Sequence, residues 1–433
     1  MIRHILFSLV LAGSFGVTQL YSEEKSKTLT LIEVLQNVEL HNPRLQAKKI
    51  AINTIKSKER QARAIPNPAL GVDAENIYGS GSNQKFDSAE ITIQVSEKLE
   101  LGAKRKARIK KAQIQTQVAI LEFEIEKQNI FLTALERYLK VISDAQKLSI
   151  ARYQEGIQKK FIKTVKKQVQ SGRLPKAEIE RAETQLLNAK FEVKKIELNY
   201  RESLSRLSVL YNQTGHISPF DVEKIPVPSK KLPELMTNSD NFLSQNKQYQ
   251  LLLLKNAQVK HDIRVEKSLG WQDPTFSAGV KKDNSSNERS YVAGIGIPIG
   301  LFDRNKGGIK SAEFHSEEWE LMVQDKKNNL NITYEYTFHQ ANLLLEEADL
   351  LNKKILPRTK SIYGQVKKGY IRGKYTYLDV LNAQNDWVEA QKNLVDVLAR
   401  YWKTRAQLEL ILGHSIEHQL PKIFSQTQGE KND

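Results

Sequence analysis

The chain has 433 residues and a formal net charge of +16, with 66 Lys and Arg against 50 Asp and Glu. It contains no cysteine, which excludes disulfides, thiolate metal sites, cysteine nucleophiles and a lipid anchor carried on an N-terminal cysteine. Only 21 Gly and 12 Pro punctuate this length, so turns are few and the elements are long.

The first segment, residues 1–22, joins a short basic start to the apolar run ILFSLVLAGSFGV and ends at Ser22 before the polar EEKSK, the pattern of a cleaved secretory signal peptide. No later window holds about 18 consecutive apolar residues. An exported chain of this kind is either soluble beyond the inner membrane or crosses a membrane as strands. Lys and Arg are spread along helical stretches and mixed with Glu, with no aromatic-interleaved patch. The charge therefore reads as solvated helix faces, and no nucleic-acid partner is expected.

A helical pattern covers about 32 to 64 and precedes the Asx-Pro pair Asn67-Pro68, which disfavours helix. Two alternating runs follow, ALGVDAENI and AEITIQVSEKL, joined by a polar loop as a hairpin over about 69–99. Ile91, Ile93 and Val95 share one face, with Thr92, Gln94 and Ser96 opposite. From Gly102 to about Gln170 the helical pattern weakens only near Gly156, which implies a helix on the order of 100 Å long. A turn at 171–176 and a helix over about 177–212 close the first unit (23–215).

After a linker (216–233) the scheme repeats over 234–413. A helical pattern over about 234–268 precedes Asp273-Pro274, and a hairpin follows over about 275–300. In its second strand Tyr291, Ala293, Ile295 and Ile297 share a face, against Val292, Gly294 and Gly296. A second long helix spans about 304–371, which Pro357 must kink or break. A turn at 372–376, a helix over about 377–412 and a polar tail (414–433) complete the chain. In each unit the two shorter helices, laid end to end, match the long one.

The repetition extends to individual residues. Ala182, Leu186, Ala189, Val193, Ile196, Tyr200, Leu207 and Leu210 form a heptad seam. Ala383, Trp387, Ala390, Leu394, Val397, Tyr401, Leu408 and Ile411 repeat it 201 positions later. The strand-to-helix passages LELGAKRKARIKKAQ and IGLFDRNKGGIKSAE likewise align Leu101 with Leu301, Lys104 with Arg304 and Ile109 with Ile309. The chain is an internal duplication. Strands of about 9–11 residues, apolar on one face only, match a transmembrane β-barrel. Four strands cannot close a barrel, so other subunits must complete it.

The duplicated plan, with NPALGVDAEN, DPTFSAGV, IPIGLFDRNKGGIKSA and RGKYTYLDVLNAQ, resembles the TolC-like outer-membrane efflux proteins over nearly the whole mature chain. The LFDRN segment is most similar to their heavy-metal cation-efflux branch, the CzcC-like proteins. The resemblance implies a mainly α fold with a β-barrel part: a homotrimer whose twelve strands close one barrel in outer-membrane lipid above a long periplasmic α-barrel. It also implies partners, a periplasmic membrane-fusion adaptor and an inner-membrane RND-type transporter. The implied function is the passive exit duct of a tripartite pump, exporting heavy-metal cations, with the exported and unlipidated chain resident in the outer membrane.

Two turns then become tips facing the adaptor. The docking candidates are Gly172, Arg173, Leu174, Arg372, Gly373, Lys374 and Tyr375. Family members can carry two aspartates three residues apart that ring the periplasmic entrance. Asp379 matches the first, Asn382 stands at the second, and Glu178 is the repeat counterpart of Asp379. Carboxylates converging on an axis attract cations and repel one another. Taken alone, Asp379 is a helix N-terminal carboxylate favoured by the helix dipole. His414 and His418 stand four apart where the last helix fades, and the other histidines are scattered, so no metal site and no cofactor are expected.

Three alternatives are open on the residues. One is a duct for drug efflux or type I secretion. A soluble periplasmic coiled-coil adaptor or scaffold accounts for the heptads but leaves the two one-sided hairpins unexplained. An enzyme lacks a nucleophile–base pair, a phosphate loop or metal-ligand spacing, and no catalytic residue is assigned.

Overall fold

The computed structural model describes residues 29–213, 224–228, 232, 235 and 242–417. The expected signal peptide (1–22), much of the linker and the end of the tail, with His418, lie outside the described residues. Thr30 opens α1 (Leu31–His41) with a reciprocal capping box to Glu33. The segment expected as one helix over 32 to 64 is two, because Asn42 is extended and Pro43 starts α2 (Pro43–Ala62). Proline suits a first helical position and not an interior one. The next helix, α3 (Lys104–Gln170), is a single element of 67 residues, and it runs unbroken through Gly156. α4 (Ala177–Ser208) returns along it.

The second half holds α5 (Lys247–Leu269), α6 (Lys306–Leu350), α7 (Leu356–Ile371) and α8 (Tyr377–Ile411). Between α6 and α7 lies a π-helical turn, Leu351–Ile355, directly before Pro357. The proline lacks an amide and crowds the preceding turn, and the wider turn absorbs both without ending the rod.

One joint is built twice. Asn42 caps α2 by accepting the Leu45 amide at 3.0 Å, and its side-chain NH2 donates to the Leu210 carbonyl at 2.7 Å. Asn246 caps α5 through the Tyr249 amide at 2.9 Å and donates to the Ile411 carbonyl at 2.9 Å. In each half the start of one short helix is thus pinned to the end of the other, beside the long helix.

The heptad seam supplies the core. Ala182, Ile196, Tyr200 and Leu207 are buried, as are Ala383, Trp387, Ala390, Val397, Tyr401 and Leu408. The main cluster gathers Leu31, Val34 and Val38 of α1 with Phe131, Leu135, Tyr138 and Ile142 of α3, joined by Leu398 and Trp402 of α8. Inside it the Tyr138 hydroxyl donates to the Leu29 carbonyl at 3.1 Å, as a buried hydroxyl must.

The strands β1 (Ala69–Glu75), β2 (Glu90–Lys98), β3 (Thr275–Asp283) and β4 (Arg289–Gly296) form one antiparallel sheet in the order β1-β2-β3-β4. Its register pairs Val72 with Ile93, Ile93 with Val280 and Val280 with Tyr291. It likewise pairs Leu70 with Val95, and Phe276 with Ile295. Paired residues share a face, so these side chains form one apolar surface, and all of them are exposed. Ile91 lies half-buried on the same face, paired with Ala74. Ile297 falls one residue beyond the end of β4 and is exposed. The opposite face carries Asp73, Thr92, Gln94, Ser96, Ser277 and Lys281. Both edge strands, β1 and β4, are open.

The two bends from strand to helix use different chemistry at matching positions. At the first, Gly102 has φ +66° and a Cβ there would come within 2.6 Å of Trp271, so only glycine fits. The Asp273 carboxylate accepts the Leu101 amide at 3.0 Å and the Lys104 ammonium at 2.7 Å. At the second, Asp303 accepts the Asn305 amide at 2.8 Å, while the Asn305 side chain donates to Glu266.

Burial of the Asp273 side chain opposes its ionisation, but Lys104, the Leu101 amide and Lys98 hold the carboxyl below its ordinary value. Its contribution to stability is therefore complete above the ordinary carboxylate pKa and lost as pH falls through the lowered folded value. Asp273→Asn is expected to cost about 1.5–3 kcal/mol. Thermal unfolding of the detergent-purified protein at neutral pH checks this, with the difference from wild type shrinking as pH falls below the carboxylate range.

Candidate functional site: the helical tips

At the end of the rod opposite the sheet, two helical hairpins turn. α3 ends at Gln170, Gly172 takes φ +73°, and the amides of Arg173 and Gly172 donate to the carbonyls of Gln168 and Val169. α7 ends at Ile371, Gly373 takes φ +75°, and the amides of Lys374 and Gly373 donate to the carbonyls of Gly369 and Tyr370. Both are Schellman closures, in which glycine supplies the left-handed residue that satisfies the last carbonyls. Arg173, Arg372 and Lys374 are exposed and form no ion pair among the described residues. Leu174 is half-buried against the tip core, and Tyr375 lies over Gly369, where a Cβ would strike its ring.

The two hairpins close on one aromatic cluster. Phe161 of α3 stacks on Tyr377 of α8 with ring centroids 4.7 Å apart, and lies tilted against Tyr370 of α7 at 5.1 Å. Two turns higher, Tyr363 stacks on Trp387 at 5.4 Å. Val165, Ala182, Val380 and Ala383 fill the space between them. Apart from Ala182, Ala383 and Trp387 of the seam, sequence reasoning passes over this cluster. The signal that points to it is the spacing of seven between Tyr363 and Tyr370, which puts both on one helix face.

Asp379 and Glu178, counterparts in sequence, have different surroundings. The Asp379 carboxylate accepts the Thr376 amide at 2.8 Å and its hydroxyl at 2.7 Å, completing a capping box at the start of α8. These bonds hold its carboxyl below the ordinary value. Asn382 is exposed one turn further on. Glu178 has no such box, because Pro175 and Lys176 stand before α4 where Thr376 stands before α8. One Glu178 oxygen pairs with Arg181 at 3.0 Å, and the other is buried without a partner. The Tyr370 and Tyr377 hydroxyls are also buried and unpartnered. Burial first, then Tyr370 and the Glu178 charge, push the Tyr377 hydroxyl up to about 12. The tip thus holds one acid on a capping site and another aimed into the aromatic seam between the hairpins.

Among the described residues no group of three or more His, Asp or Glu is arranged to hold a metal ion. His414 stands 2.6 Å from Glu409, which also pairs with Arg405. No described helix is long and apolar enough to cross a membrane.

Long paired helices in two like halves, joined by one small sheet with an exposed apolar face, define an outer-membrane efflux architecture. The chain belongs to the outer membrane efflux protein family, whose profile matches residues 34–213 and 261–414. Members of this family are channels and not enzymes. The chain is 25% identical over 409 residues to the cobalt-zinc-cadmium resistance protein CzcC of Cupriavidus metallidurans, covering 92% of this chain and 93% of that protein. It is 21% identical over 448 residues to outer membrane protein TolC of Escherichia coli, covering 96% and 87%. Its fold superposes on the Campylobacter jejuni CmeC outer membrane channel with a TM-score of 0.71, over 98% of this chain and 97% of that one, at 12% identity.

Proposed function

We propose that this protein is one protomer of a trimeric outer-membrane duct that passively conducts heavy-metal cations out of the periplasm within a tripartite pump. The observation that carries the reading is the sheet: four strands, two open edges and an apolar face that nothing among the described residues covers. Open edges and exposed apolar faces require neighbours. Three copies supply twelve strands, whose apolar faces, with Ile91, Ile93, Val95, Tyr291 and Ile295, meet lipid, and Ile297 marks the rim. Each chain is exported by its signal peptide and contributes two repeats of the α-barrel.

The tips then meet a periplasmic adaptor through Gly172, Arg173, Leu174, Arg372, Gly373, Lys374 and Tyr375, and an inner-membrane RND-type transporter supplies the cargo. Asp379 and Asn382 line the entrance with one acidic ring, and Glu178 sits behind it at the seam between hairpins. The metal assignment is supported by the resemblance to a cobalt-zinc-cadmium resistance protein along almost the full chain.

Two measurements test this. The protein is expected in the outer-membrane fraction, soluble only in detergent and migrating as a trimer; a soluble periplasmic monomer would overturn the duct. A deletion strain is expected to become sensitive to zinc, cobalt or cadmium. Sensitivity confined to organic drugs would replace the metal cargo with drug efflux.

A further inference from the structure

Between the start of α3 and the end of α5 lies a groove of about 860 Å³ that neither the tips nor the sheet explains. Its floor is apolar, formed by Ile109 and Trp271, and its walls carry Lys106, Lys110, Arg264 and Lys267. None of these four cations has an ion pair among the described residues. The nearby acids are engaged elsewhere: Glu100 with Arg108, Asp262 with Lys111, Asp273 with Lys104, and Glu266 with Asn305. His261, on the same wall, is held below its ordinary value by burial and then by Arg264 and Lys110, consistent with an unneutralised positive field.

The groove's place sets its occupant. Lys98 lies on the polar face of the sheet and reaches Asp273, which in turn holds Lys104. Lys106 and Lys110 leave α3 on the side away from Lys104, which is the side of the apolar sheet face. Leu269, Trp271, Ile299 and Phe302 are exposed at this level, with Phe302 wholly so. An exposed tryptophan and unpaired lysines at the end of an apolar surface are the composition of a membrane interface.

We propose that this groove binds the phosphate headgroup of an anionic phospholipid in the periplasmic leaflet of the membrane, with its acyl chains running up the apolar sheet face. The inference rests on the duct reading, because it needs the sheet to face lipid. Basic pockets beside membrane-spanning elements bind anionic headgroups through the same charge pairing.

The test is native mass spectrometry of the detergent-purified trimer with phosphatidylglycerol or phosphatidylcholine of matched acyl chains, with inorganic phosphate as competitor. Wild type is expected to bind phosphatidylglycerol at least ten-fold more tightly than phosphatidylcholine. A variant combining Lys106→Gln, Lys110→Gln, Arg264→Gln and Lys267→Gln is expected to lose that preference and keep its trimer. Equal binding of the two lipids, an unchanged preference in the variant, or displacement by millimolar phosphate overturns the proposal.

A second measurement does not depend on the variant. Brominated phosphatidylglycerol is expected to quench Trp271 fluorescence, taken as the difference between wild type and Trp271→Phe, more than brominated phosphatidylcholine does; equal quenching overturns the proposal. A trimer found in the outer membrane without lipid preference defeats this inference alone, whereas a soluble monomer defeats the duct.

Discussion

Ile93→Arg is expected to empty the outer membrane of assembled protein, while Thr92→Arg, one residue away, leaves assembly in place. Ile93 is paired on both sides, with Val72 and Val280, and so lies at the centre of the exposed apolar face. A cationic side chain near the middle of a lipid-facing strand costs about 2–4 kcal/mol, and a trimer incurs that cost in every subunit. Thr92 faces the other way, between Asp73 and Lys281, where an arginine meets a carboxylate and water. Heat-modifiable trimer in the outer-membrane fraction measures both variants. A loss exceeding ten-fold for Ile93→Arg alone is the expected result. Equal behaviour of the two variants would mean that the sheet does not separate lipid from lumen.

That contrast is legible in the sequence, since period-two alternation in AEITIQVSEKL assigns faces by itself. The heptad seam is legible for the same reason, as its spacing names the buried side whatever the seam packs against. The tip glycines are legible too, because few other residues accept positive φ after a helix. Other features require the third dimension. The division at Asn42 is local, since Asn42 precedes Pro43, but the pinning of that joint to Leu210, far along the chain, is not. The two bends align in sequence, yet Asp273 and Asn305 hold them through unrelated partners. Asp379 as a capping residue follows from the Thr376 spacing. The buried oxygen of Glu178 depends on the approach of Tyr370 and Tyr377 from the other hairpin, which no local pattern encodes. In the sequence the groove cations read as solvated helix charge, and only their shared cavity, empty of carboxylate partners, sets them apart.

The largest effect at the tips is expected from Phe161→Ala. This ring is the buried aromatic that the first hairpin gives the cluster, stacked on Tyr377 and tilted against Tyr370 of the second. The exposed Tyr153 adds only an edge contact to Trp387. Truncating a buried aromatic costs about 3–5 kcal/mol, and here the loss falls on the contact between hairpins and not on either hairpin's own closure. Gly172 and Gly373 still end their helices through their own backbone bonds. The main core around Tyr138 lies elsewhere on the rod and keeps the fold together. With Phe161 removed, the buried Tyr370 and Tyr377 hydroxyls and the second Glu178 oxygen gain access to water, which favours a parted tip over a closed one. The expected phenotype is a trimer that assembles normally but leaks. Cells carrying it should become several-fold more sensitive to vancomycin, which is too large for a closed entrance, and single-channel conductance in planar bilayers should rise. Phe161→Leu, which restores apolar volume without the ring, should fall between the two. Wild-type conductance and vancomycin tolerance in Phe161→Ala protein would show that the aromatic seam does not hold the entrance, and would leave the proposed acidic ring at Asp379 as the gate to test.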